Sequence, residues 1–246
     1  MIKLLCAALI IYSSIAGAFA QQQSKPWSEW SKKEVDKTLN DSPWAQTQTD
    51  TDTSEMNYSP TISQTTSGRR EDTRIAEASR TESGAKNSAI SVKYRVRLLS
   101  AKPIREALAR TVLSAQEKEN PELAQQLQGF VDRDFNEYVV VAVTVEASDQ
   151  RYTAPIAQAF GSATAEILKN STYLERKDGK RLFLLEYRPP SNDGMGAKFI
   201  FSRSVEGASF IGDSDSMRFV AEFNDKLKLN VKYKISDMKY NGKLEY

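Results

Sequence analysis

Tyr138-Val139-Val140-Val141-Ala142-Val143-Thr144-Val145 is the stretch that decides the fold. It is almost continuously apolar, and Val139, Val141, Val143 and Val145 share one face of an extended chain. A β-branched run of this kind reads as a central strand. Downstream of it the pattern stays extended. Thr172 to Tyr187 reads as a hairpin turned by Asp178-Gly179, a favoured two-residue loop. Lys198 to Arg203 and Met217 to Phe223 read as strands. Leu227, Leu229, Val231, Tyr233 and Ile235 alternate with Lys226, Lys228, Asn230, Lys232 and Lys234, the period-two mark of a half-buried strand. Tyr240-Asn241-Gly242-Lys243 closes a last hairpin.

Upstream, helices enter. Val92 to Leu98 alternates and is a strand. Ser100 is placed to cap a helix with Pro103 in its first turn and Ile104, Leu108 and Val112 on one face. Asn120-Pro121 is a cap with proline at the first helical position, and Leu123, Leu127, Phe130 and Val131 follow on its inward side. Pro155 to Lys169 is a weaker, alanine-rich helix. Helices gather early and strands late, which predicts an α+β domain with a largely antiparallel sheet and two or three helices. The expected domain runs from 92 to 246, long enough for a core that buries about two thirds of its surface.

The N-terminus predicts export. Lys3 supplies a positive start, Leu4 to Ile11 an apolar stretch, and Ala18-Phe19-Ala20 a small-x-small cleavage site. Residues 1–20 are therefore expected to leave as a signal peptide, placing the protein in the periplasm or outside the cell. Cys6, the one cysteine, leaves with them. The mature chain then has no disulfide and no thiol nucleophile. Loss of Lys3 leaves 33 basic against 32 acidic residues, which gives no global attraction to nucleic acid. The chain contains no histidine. Ser-His-Asp and Cys-His catalysis are excluded for the chain acting alone, as are metal sites built on His or Cys. No cofactor is called for. Carboxylate chemistry remains open.

Between signal and domain lie two further parts. Residues 21–46 hold all three tryptophans, Trp27, Trp30 and Trp44. Ser31-Lys32-Lys33-Glu34 is a capping box, with Trp30 and Val35 placed for a hydrophobic staple. A short helix from Lys32 to about Asn40 should follow, stopped at Ser42-Pro43. Residues 47–91 are rich in Thr, Ser, Gln, Asp, Glu and Arg, which predicts a disordered linker. Trp27-Ser28-Glu29-Trp30-Ser31-Lys32-Lys33 through Ser42-Pro43-Trp44-Ala45-Gln46, Ser100-Ala101-Lys102-Pro103-Ile104-Arg105-Glu106-Ala107, and Asp237-Met238-Lys239-Tyr240-Asn241-Gly242-Lys243-Leu244-Glu245 cover about a sixth of the chain. Together they resemble a family of predicted exported proteins from acidobacteria-like soil bacteria, a family without an assigned activity. The resemblance implies bacterial export and carries over no functional residues.

Trp27, Trp30 and Trp44 are the candidate partner-binding residues, since exposed tryptophan is costly and aromatics are enriched where proteins dock. Their occupant is an envelope protein, or the protein's own domain reached across the linker. Lys226, Lys228, Lys232 and Lys234 are candidate anion-binding residues, joined by Lys93, Arg95 and Arg97 into a basic sheet face. The competing reading is a solvated face that guards an edge strand. Asp132, Asp134 and Glu137 are the carboxylates that a hydrolase of envelope or extracellular carbohydrate would use. Gly212 to Ser216 reads as a polar turn. Ser236-Asp237-Met238-Lys239 matches Ser-x-x-Lys but reads as strand, where that spacing does not place a nucleophile at a helix start. The sequence thus points to an exported, non-catalytic interaction protein.

Overall fold

The computed structural model describes residues 25–52, 90–116, 118, 120–147, 150–212 and 214–246. The expected signal peptide, its cleavage site and most of the expected linker lie outside the described residues. In chain order the strands are β1 (Ala45–Asp52), β2 (Ile90–Leu98), β3 (Tyr138–Ala147), β4 (Thr172–Arg176), β5 (Arg181–Phe183), β6 (Glu186–Arg188) and β7 (Ala197–Ser202). They continue with β8 (Ser204–Val205), β9 (Ala208–Ser209), β10 (Ser216–Glu222), β11 (Lys228–Lys234), β12 (Lys239–Tyr240) and β13 (Lys243–Leu244). The α-helices are α1 (Lys32–Asn40), α2 (Lys102–Ser114), α3 (Pro121–Val131), α4 (Gln150–Ser162) and α5 (Ala165–Leu168).

The class is α+β and every strand pairing is antiparallel, as the order of elements predicts. One sheet has the order β1-β2-β3-β7-β6, the other β11-β10-β4-β5. β3 is central, and both its faces are covered: Val139, Val141 and Val143 on one side, Val140 and Ala142 on the other, are all buried. Between the sheets, Phe199 of β7 meets Phe219 of β10 at 5.2 Å between ring centres, in an edge-on arrangement. Phe201 meets the same ring at 6.2 Å. Such pairs add about 0.5–1.5 kcal/mol beyond the area they bury. Tyr233 of β11 is fully buried, and its hydroxyl donates to the Val96 carbonyl at 3.0 Å, which satisfies the one polar atom the ring brings inside.

The two sheets are joined along both flanks. On one flank the hairpin strand leaves its sheet. Leu184 N donates to Thr172 O of the second sheet, and the next residue, Leu185, donates to Ile200 O of the first. The expected hairpin therefore ends at Phe183, and Glu186 to Arg188 belong to the other sheet. On the other flank a side chain replaces a strand. Gln48 of β1 donates to Lys228 O at 2.8 Å and accepts from Asn230 N at 2.9 Å. Its amide stands in for a peptide unit between β1 and β11.

Several local expectations are realised in full. The Ser31 capping box is present, with Glu34 N donating to Ser31 Oγ at 3.3 Å and Ser31 N to Glu34 Oε2 at 2.6 Å. Asn120 accepts from Leu123 N at 3.1 Å. Asn241 and Gly242 turn the last hairpin with φ of 49° and 77°. Others are corrected. Ser100 does not cap α2. It is buried and accepts from Val140 N, while the helix start is held by Glu245 Oε1, which accepts from Lys102 N at 2.8 Å. Val112 is exposed, because α2 is covered near its start, where Ile104 and Ala107 are fully buried. Helix α4 begins before Pro155, and Thr164 caps a separate short α5. Ile235–Asp237 is a 3-10 turn, not strand.

The largest correction concerns the expected linker. Residues 47–52 are not linker: β1 runs from Ala45 to Asp52 and pairs with β2 along its whole length, Ala45 opposite Arg97 and Asp52 opposite Ile90. Residues 25–52 are thus built into the same domain as 90–246, with Val35, Leu39 and Trp44 in its core.

Candidate functional site

The stretches at 27–46, 100–107 and 237–245 meet in one cluster. Trp44 is 8% exposed, and its indole N–H donates to Glu245 O at 2.6 Å. Its ring meets that of Tyr240 edge-on at 6.2 Å. The Tyr240 hydroxyl donates to Glu106 Oε2 at 2.5 Å. Arg105 is buried beside them. Its guanidinium donates to Val131 O at 3.0 Å, to Leu99 O at 3.3 Å and to Ser100 O, and lies 4.7 Å from the centre of the Phe135 ring. Its charge is spent on carbonyls that the end of α3 and the loop before α2 would otherwise leave unpaired. No sequence spacing links Trp44 to Tyr240 and Glu245. Only the packing of the first and last described segments brings them together.

Next to this cluster is a polar cavity of about 240 Å3, lined by Lys102, Arg105, Arg203, Asp132, Asp134 and Glu245 among others. Two of the three carboxylates read as hydrolase candidates therefore share a site. Glu137 does not join them, and its backbone carbonyl accepts from Arg203 N at 2.8 Å. Asp132 accepts from Gln128 Nε2 at 2.6 Å and Lys102 Nζ at 2.9 Å. Those two donors hold its carboxyl below the usual range. Asp134 accepts from the backbone and side-chain nitrogens of Asn136, both at 2.7 Å, in a local turn. A glycosidase needs one carboxyl held protonated as a general acid. Burial does push one carboxyl up, that of Glu106. It is 5% exposed and bonded to Tyr240, with no path to a substrate through the polar cavity's lining.

A larger groove of about 540 Å3 adjoins this cavity, sharing Arg133 and Phe135 with it. Its floor is Leu99, Val140 and Ile200, and Lys198 and Asp193 on its rim are paired at 2.6 Å. Among the described residues, no three acidic side chains are grouped to hold a metal ion. Asp215 of the polar turn at 212–216 is instead paired with Lys177 at 2.8 Å. Ser236 Oγ, of the Ser-x-x-Lys match, donates to Asp237 Oδ1 at 3.2 Å.

The tryptophans divide. Trp44 is a core residue, which corrects its reading as a partner contact: its ring seals the cluster above. Trp27 and Trp30 are half-buried. Trp27 donates to Gln128 of α3 at 3.1 Å and Trp30 to Lys25 O at 3.0 Å, while Arg110 of α2 donates to Trp30 O at 2.8 Å. Each keeps part of its ring in solvent at the rim of α2.

The basic face also divides. Lys228, Lys232 and Lys234 lie on the outer face of β11, with Lys226 in the turn before it. Lys228 is paired with Glu222 at 3.5 Å and Lys234 with Asp237 at 2.9 Å. Lys232 makes no ion pair among the described residues. The structure does not bring Lys93, Arg95 and Arg97 into this face, because they belong to β2 of the other sheet. Arg95 donates through Nε and Nη2 to the two carboxylate oxygens of Glu146, each at 2.8 Å. Arg97 donates to Leu39 O at 2.8 Å and to Asn40 and Thr144 side chains, tying α1 to the sheet. Sequence reading missed Arg218 of β10, opposite Lys232, and Arg181 of β5, at the far end of the same row, because cross-strand register is invisible in spacing along the chain.

No family model, curated protein or solved structure matches the chain. Among the described residues, no helix is long and apolar enough to cross a membrane.

Proposed function

We propose that this is an exported bacterial protein that works by binding, at the cell envelope or outside the cell, and does not break bonds. The export half rests on Lys3, the apolar stretch from Leu4 and the small residues at Ala18 and Ala20, together with a mature chain free of cysteine. The binding half rests on one observation: the carboxylates exposed to the polar cavity are bonded to Lys102, Gln128 and Asn136, and the one carboxyl among the described residues that burial raises is closed off behind Tyr240. That arrangement supports a scaffold for association. The partner surface is the exposed rim of Trp27 and Trp30, a half-buried aromatic pair of the kind that dominates docking energies.

The test has three parts. Expression in a bacterium and fractionation should recover a periplasmic or secreted form with a mass lacking residues 1–20. Capture from envelope extract should retain a partner that Trp27→Ala and Trp30→Ala lose. Trp44→Ala is unsuited to this test, since it opens the core. A panel of glycan and ester substrates completes it, and turnover abolished by Asp132→Asn would replace the binding reading with a hydrolase.

A further inference from the structure

On the outer face of the second sheet, the register lines up four charged side chains in one row across the strands. Lys232 of β11 stands opposite Arg218 of β10, Arg218 opposite Glu175 of β4, and Glu175 opposite Arg181 of β5. Three cations thus share one carboxylate. Glu175 is committed to Arg181 at 2.9 Å, with Arg218 at 4.0 Å. Like charges set directly opposite on neighbouring strands destabilise a sheet, so the Lys232–Arg218 pair is a cost the fold carries. Lys177, Lys234 and Lys228 around it are paired with Asp215, Asp237 and Glu222. The row itself keeps an excess of cations.

The row is also shaped. A shallow cleft of about 300 Å3 opens over it, lined by Arg218, Lys232, Arg176, Lys177, Ser216 and Glu175 among others. One step along the strands, on the same face, comes an aromatic pair: Tyr173 opposite Phe183, with ring centres 5.7 Å apart. Arg181 lies 4.4 Å over the Tyr173 ring, and Phe183 is 48% exposed. Cations spaced by one strand width, about 4.8 Å, beside an open aromatic face suit a ligand that repeats acid groups along a chain of flat-faced rings.

We propose that this face binds an acidic saccharide, its carboxylates or sulfates on Lys232 and Arg218 and a sugar face on Phe183. The choice of a glycan over another polyanion rests on the export reading above. The binding itself is read on purified protein, so a failed fractionation and a failed titration are separate results.

The experiment titrates the full mature protein with oligogalacturonate, which carries a carboxylate on each ring, and with its methyl ester, which does not. The acid form should bind and the ester should not. Lys232→Glu should weaken binding about tenfold or more, the loss expected of one charge-assisted hydrogen bond. The same change should raise Tm, because it turns the pair with Arg218 into opposite charges. Lys37→Glu, at an exposed position of α1, carries the same change of net charge off the row and should keep the affinity. The proposal is overturned if the acid form does not bind or the ester binds equally. It is also overturned if Lys37→Glu and Lys232→Glu weaken binding alike, or if Lys232→Glu raises Tm and leaves binding unchanged. Tighter binding of duplex DNA, with the same dependence on Lys232, would assign the row to nucleic acid and reject the glycan.

Discussion

Gly196 sits where the loop before β7 passes over β3. Its φ is +79°, and a Cβ there would fall 2.1 Å from the Val143 carbonyl oxygen, a backbone atom in the middle of the sheet. Neither the conformation nor the contact can relax cheaply. Gly196→Ala should cost at least about 2 kcal/mol, read as a shift in the urea midpoint at unchanged slope. Gly194, at φ +71° with open space around it, is the control. There alanine meets only the left-handed penalty of about 1–2 kcal/mol. Glu106 gives a prediction with a pH signature. Burial raises its carboxyl above the ordinary 4.5, so the folded protein holds a proton that the unfolded chain has released. Stability contributed by that proton is complete below the ordinary value and is lost as pH rises through the raised one. Glu106→Gln keeps an acceptor for Tyr240 without the buried charge. It should be the more stable form at neutral pH, and its advantage should vanish on acidification below the ordinary carboxyl range. A thermal melt series across pH reads this, and a constant difference at all pH values would contradict it.

At the level of elements, Gln48 shows what closes the molecule. Its amide makes both bonds that a strand residue would make to β11. Gln48→Ala should leave Lys228 O and Asn230 N to water and cost about 1–2 kcal/mol. Faster amide exchange should be confined to Asn230 and its neighbours. Gln48→Glu keeps the acceptor and loses the donor, so it should fall between. This residue also explains how much of the fold was legible. β3, β10, β11 and the last hairpin announce themselves, because their apolar residues alternate or run continuously toward a core. β1 does not. Ala45-Gln46-Thr47-Gln48-Thr49-Asp50-Thr51-Asp52 has no large apolar side chain, since an edge strand that meets the second sheet through a side-chain amide needs polar residues there. Its composition matches that of the linker predicted from it. The threonines were the available signal, as β-branched residues that favour extended chain. The candidate site was legible only in pieces. Lys232 was found because β11 alternates, whereas Arg218 and Arg181 needed the register. The carboxylates at 132 and 134 were found as residues, and only their bonded partners show that they are engaged.

For the whole molecule, the order of pairing has a consequence for residues 53–89. They connect β1 to β2, which are neighbours in one sheet and antiparallel, with Asp52 opposite Ile90. Strands so placed need only a few residues to join them as a hairpin. Replacing 53–89 by a four-residue Gly-containing loop should leave the domain folded, with Trp44 still sealed against Tyr240 and Glu245. For a flexible chain, the closure entropy saved in going from 37 residues to four is about 2 kcal/mol, from its logarithmic growth with length. The shortened protein should be more stable by that amount in urea unfolding. The size of the gain is itself informative. A gain near the flexible-chain figure means that the long connection makes no net stabilising contact with the domain. A loss of stability means that 53–89 supplies contacts of its own, and the domain then extends into the connection. Binding separates the two roles further. If oligogalacturonate affinity survives the replacement, the cationic row works without the connection. The selective value of so long a connection between two adjacent strands would then have to be sought in the partner proposed for Trp27 and Trp30.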